Sequence, residues 1–138
     1  MSTRQLIAEA RPRGVVDYAL ARRATLASLA AGRSTPIDVC DAQSYLVRAA
    51  RYHGEPTADV CPVCAQSGLV RVNYAYGDCF RSDANGRART SRELLSMANE
   101  LPEFTVYVVE VCADCKWNHL VSSYVLGTGE QTRRQARS

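Results

Sequence analysis

The sequence predicts an α+β fold, with an N-terminal helical hairpin packed on a zinc-ribbon-like antiparallel β-sheet that carries a helical insertion. Three observations predict it. Residues 15–56 are rich in Ala and Leu with apolar side chains at helical spacing. Residues 69–76, 104–111 and 119–126 are rich in β-branched and aromatic residues. Two Cys-x-x-Cys pairs, Cys61-Pro-Val-Cys64 and Cys112-Ala-Asp-Cys115, lie against those strands, where each pair makes a tight turn with two sulfurs at one corner. The chain divides on this reading into an arm (1–14), the hairpin (15–56), a ribbon-like domain (57–126, with an insertion at 77–103) and a flexible basic tail (127–138).

Taking the elements in order, the polar arm holds Pro12 and Gly14, with a short helical piece around Leu6 and Ile7. A first helix is expected from Val15 to Ala31, stopped by Gly32. A second starts at Thr35, with Pro36 at its first position and Asp38 where a capping-box acid sits. Val39, Ala42, Leu46, Ala49 and Ala50 share its apolar face, and Gly54 and Pro56 end it. Val70, Val72, Tyr74 and Tyr76 alternate with Arg71 and Asn73, which predicts a strand with one wet face. Residues 77–90 read as a polar loop, and Thr90 and Glu93 form a second capping box that opens a helix over 91–99. The run FTVYVVEV at 104–111 is the strongest strand and, with large side chains on both faces, is predicted to be central and covered on both sides.

Composition narrows the functional classes. The 138 residues are 46% hydrophobic and 22% charged, ordinary globular usage. No run of 18 apolar residues and no signal-like N-terminus occur, so a cytoplasmic protein without a membrane partner is expected. In a reducing compartment the six cysteines point to metal ligands or free thiols before disulfides. The net charge of +3 is mild, and residues 60–126 carry six basic groups against seven acids, which argues against a dedicated duplex-DNA clamp. Sixteen of the 17 basic residues are arginine, a bias that GC-rich codon usage explains as readily as phosphate binding does.

Cys61, Cys64, Cys112 and Cys115 are the candidate ligands of one Zn²⁺ ion. Forty-seven residues separate Cys64 from Cys112, against about 15–20 in compact ribbons; the 77–103 insertion accounts for the excess. The alternative, a thiol–disulfide pair, wants a helix N-terminus after the motif to lower the thiol pKa, and neither pair has one. Cys40 reads as a small buried hydrophobe beside Val47, Cys79 as a turn residue open to a core or a replacement-ligand role, His119 as a strand residue with a competing metal ligand as the alternative, and His53 as a helix end.

The segment RSDANGRARTSR holds Arg81, Arg87, Arg89 and Arg92 against Asp83, and is the best phosphate-binding candidate. Arg133 and Arg134 in the tail extend that charge, and Trp117 is expected to be partly exposed beside the second cysteine pair. Gly-rich phosphate loops, HExxH and nucleophile elbows do not occur, and four thiolates leave zinc no open position, so no enzymatic activity is expected.

The segments VVDYALARRATL, VCPVC, LVRVNYAYGD, TSREL and VVEVCADCKWNHL resemble a family of small uncharacterised actinobacterial proteins over most of 15–126. The resemblance implies the architecture and the cytosolic setting, and no activity. Three functions follow as expectations. The first is an accessory factor bound to nucleic acid or a nucleoprotein machine such as RNA polymerase or the ribosome. The second is a protein–protein adaptor, and the third a redox-sensing zinc protein.

Overall fold

The structure, a computed structural model, describes residues 2–129. It is a mixed α and antiparallel β fold, as the sequence predicts. Five strands run in the order β1 (Arg13–Asp17), β6 (Asn118–Leu126), β5 (Phe104–Val111), β3 (Gly68–Tyr76) and β2 (Glu55–Val60), and a sixth, β4 (Arg87–Arg89), pairs with β3. The apolar run at 104–111 is indeed the middle strand. Phe104, Val106, Val108 and Glu110 are buried on one of its faces; on the other Val111 is buried but Tyr107 is exposed, so the cover expected on both sides is complete on one only. The described residues cluster into two compact units, one from residues 2–16, 73–107 and 123–129, the other from 17–72 and 108–122. Among the described residues no helix is long and apolar enough to cross a membrane.

In the first unit the stretch read as an arm is anchored. Ser2 and Gln5 form a capping box that starts α1 (Thr3–Glu9), which buries Leu6 and packs on α5 (Ser91–Glu100). The Thr90–Glu93 capping box opens α5 as expected, and Leu94 and Ala98 form its buried face. The predicted loop 77–90 contains β4, in register Asn73↔Arg89 and Ala75↔Arg87. Its turn is built by Asn85 and Gly86: the Gly77 N–H donates to Asn85 Oδ1 (2.9 Å), and Gly86, at φ 77°, donates to the Ala75 carbonyl (2.7 Å). This pairing overturns the wet face of β3, because Asn73 is buried and its side chain donates to the Arg89 carbonyl (3.2 Å). Past β6, Thr128 and Gly129 donate to the carbonyls of Leu101 and Pro102, so the segment read as a free tail starts out tied down. Arg133 and Arg134 lie outside the described residues.

The hairpin departs from expectation at two points. Val15 and Val16 belong to the edge strand β1, not to a helix; they are β-branched and follow Gly14 at φ 56°. The helix α2 (Ala19–Ala30) starts later, with Asp17 Oδ1 accepting from the Ala19 N–H (2.8 Å), and none of its residues is buried. The single helix expected from Thr35 is broken into α3 (Pro36–Val39), opened by the Thr35–Asp38 capping box, and α4 (Ser44–His53). The break is at Cys40 (φ −99°, ψ 63°), and the freed Ala42 N–H donates to the Lys116 carbonyl (3.0 Å). Pro56, read only as a helix stop, sits in β2, an edge strand where a residue without an N–H is tolerated.

Candidate metal centre

Both cysteine pairs lie wholly in the second unit and are built alike. The first joins β2 to β3, the second β5 to β6. In the first, the Ala65 N–H donates to the Cys61 carbonyl (3.0 Å) and the Cys61 N–H to the Ser67 carbonyl (2.8 Å). In the second, Lys116 donates to Cys112 (2.9 Å) and Cys112 to Trp117 (2.9 Å). The residue after each pair, Ala65 (φ 56°) or Lys116 (φ 72°), is left-handed, which turns the chain back and points backbone N–H groups at sulfur. Val63 donates to Cys61 Sγ (3.4 Å) and Cys115 to Cys112 Sγ (3.5 Å).

The four sulfurs lie within 4.8 Å of one another, with Cys61–Cys115 at 3.6 Å and Cys64–Cys112 at 3.8 Å. A tetrahedral ion with ~2.3 Å bonds to sulfur needs sulfur–sulfur separations of ~3.8 Å, so the donor set fits a metal ion. Cys61 and Cys112 are buried and Cys64 and Cys115 half-buried, packed with Leu69, Trp117, Leu26, Val39 and Val63. Ser67 donates to Asp114, linking the rims of the two turns.

The thiols are not equivalent. The N–H groups of Gln66 and Ser67 bring the Cys64 pKa down to about 7, so this thiol ionises near neutral pH. Burial pushes Cys61 up to about 12 and Cys115 up to about 11. Metal entry must displace protons from those two, which makes uptake pH-dependent.

Left-handed backbone costs a residue with a Cβ roughly 1–2 kcal/mol, part of which glycine recovers. Ala65→Gly is therefore expected to stabilise the protein by about 0.5–1 kcal/mol. Urea titration of the metal-loaded protein checks this; a fall in midpoint would contradict the assigned backbone.

The surroundings correct several expectations. Cys40, read as a small buried hydrophobe beside Val47, is half-buried against the cysteine cluster: the helix break aims its sulfur at Cys115 Sγ, 3.7 Å away, and burial raises its pKa. Cys79 lies elsewhere, donating to the Glu103 carbonyl (3.3 Å). His119 is outside the cysteine cluster; its ring stacks on Trp117 (5.9 Å, 22°) and Nδ1 meets the Leu120 carbonyl (2.7 Å). His53 is an exposed helix-end residue.

Trp117, expected to be partly exposed, is fully buried, so no face of its ring is free to stack on a base. Its Nε1–H donates to Glu110 Oε2 (2.7 Å), and both Glu110 oxygens accept from Arg22 Nε (3.0 Å each). Glu110 was not among the sequence candidates. Its signal was present: one acid in an otherwise apolar central strand, seven residues before the only Trp.

The arginines separate by role. Arg81, Arg87 and Arg92 are exposed, with Arg87 Nε donating to the Asp83 carbonyl (2.8 Å). Arg89 is half-buried in β4 and 3.8 Å from Glu93.

Fold and site together define a small α+β protein with a four-cysteine cluster able to hold a metal ion. The chain belongs to the family of unknown function DUF5318, which it matches over residues 10–138. It is 46% identical over 118 residues to the uncharacterized protein Mb0050 of Mycobacterium bovis and to the uncharacterized proteins MT0055 and Rv0049 of two Mycobacterium tuberculosis strains. Those matches cover 86% of this chain and 85% of each relative, which places the chain in an actinobacterial family. No solved structure matches it significantly.

Proposed function

We propose that this protein is a zinc-binding, non-catalytic accessory factor that binds nucleic acid or a nucleoprotein machine such as RNA polymerase or the ribosome. The convergence of four sulfurs within 4.8 Å carries the metal part of the reading. An all-thiolate tetrahedral set selects zinc or iron among common metals, and zinc is the usual structural occupant. Four protein ligands leave no position for a substrate, so the ion's role is to hold the two turns together. Function then falls to the surface, where exposed Arg81, Arg87 and Arg92 supply cations for phosphate.

A second reading, a protein–protein adaptor, is supported by α2: none of its residues is buried, and Leu20 is 74% exposed.

Metal analysis of protein purified without added metal is expected to find about one zinc per chain. Anisotropy of labelled RNA and DNA is expected to report binding that weakens steeply with salt. Absence of binding at low salt would sink the nucleic-acid reading and favour the adaptor.

A further inference from the structure

Within the unit formed by residues 17–72 and 108–122, an open groove of about 300 Å³ lies between α4 and the turn after Cys115. It is lined by Ser44, Val47, Arg48, Arg51, Tyr52 and Lys116, which makes three cations and no acid. Tyr52 is 77% exposed and Tyr45, on the same helix, 62%. Tyr45, Arg48 and Tyr52 stand at offsets of three and seven residues and so share one helical face, with the rings separated by ~10 Å along the axis.

Neither arginine has an acid to pair with on its own helix, since α4 reads SYLVRAARYH. Asp41, just before α4, is engaged by Asn118 (2.8 Å). Lys116 is held at the groove by the cysteine turn itself: its N–H donates to Cys112 and its carbonyl accepts from Ala42. The cysteine turn thus fixes the backbone of one groove cation.

We infer that this groove binds single-stranded nucleic acid. Phosphates lie on Arg48, Arg51 and Lys116, and bases stack on Tyr45 and Tyr52. An interleaved row of cations and exposed rings suits a single strand, because every base offers a stacking face once it is unpaired. In a duplex those faces are covered. Charge alone would serve an acidic peptide equally well; the two exposed rings favour the nucleic acid. The inference rests on the nucleic-acid reading above and assigns the contacts to α4 and Lys116 in place of the Arg81–Arg92 segment.

The test uses full-length, zinc-loaded protein and fluorescent 15-nucleotide single strands of RNA and of DNA, with a duplex as reference. Wild type is expected to prefer single strands. Arg48→Ala with Arg51→Ala should weaken binding about tenfold or more and flatten the salt slope by about 1.4. Tyr52→Leu should weaken it about fivefold or more, while Tyr52→Phe, which keeps the ring, should bind like wild type. The RNA and DNA arms identify which strand the groove takes. If wild type binds no oligonucleotide, both the functional reading and the inference fail. If wild type binds, the Arg48/Arg51 and Tyr52 variants match it, and Arg81→Ala with Arg87→Ala abolishes binding, the inference alone fails. Equal affinity for the duplex would overturn the stacking role of the tyrosines.

Discussion

Chelation of the proposed zinc is expected to unfold the unit formed by residues 17–72 and 108–122. Structural zinc contributes an apparent ~10–16 kcal/mol in small domains at neutral pH, while whole domains are stable by only ~5–15 kcal/mol. The ion is therefore as large as the entire margin of this unit. Its alternatives are poor, because Cys61 and Cys112 are buried and would leave thiols facing one another without a shared partner. Cys61→Ser or Cys112→Ser should act as chelation does, while Cys79→Ser, remote from the cluster, should leave the melt unchanged. Circular dichroism melts with and without a strong chelator decide the matter. A melting temperature that does not move on complete metal removal would refute a structural role for the ion.

Glu110→Ala is expected to destabilise the protein by about 3–5 kcal/mol, the range for removing one member of a buried charged network. The substitution strands the Arg22 guanidinium, 31% exposed, and leaves the fully buried indole N–H of Trp117 with no acceptor. Arg22 also ties α2, a helix with no buried residue of its own, to the central strand. Glu110→Gln keeps an acceptor for Trp117 but loses the ion pair, and should cost about half as much. Chemical denaturation of the three proteins gives the comparison. Equal stability of wild type and Glu110→Ala would mean that the network contributes nothing.

Much of this was legible in the sequence wherever local chemistry decides structure. The capping boxes at Thr35 and Thr90, the central strand at 104–111 and the four clustered cysteines all follow from side-chain type and spacing. The misreadings share a physical cause, in that a partner distant in sequence overrode the local pattern. The helix from Thr35 breaks at Cys40 because a backbone bond to Lys116, 74 residues on from Ala42, replaces the helical one. The loop 77–90 yields a strand because β3 offers it a free edge. Trp117 reads as a rim residue until Glu110 is seen to receive its N–H. Cys40 joins the sulfurs only through that same helix break, which no periodicity announces.

The 47 residues between Cys64 and Cys112 also have a consequence in time. Synthesis at about 5–20 residues per second separates the emergence of the two cysteine pairs by about 2–10 s. During that interval the nascent chain presents only Cys61 and Cys64 of the four sulfurs that converge in the finished centre. A two-thiol site holds zinc weakly and exchanges it readily, so the ion would be captured for good only when the strands flanking Cys112 arrive. Stable capture of the proposed zinc is thereby a late event, one that only a chain holding both cysteine pairs can complete.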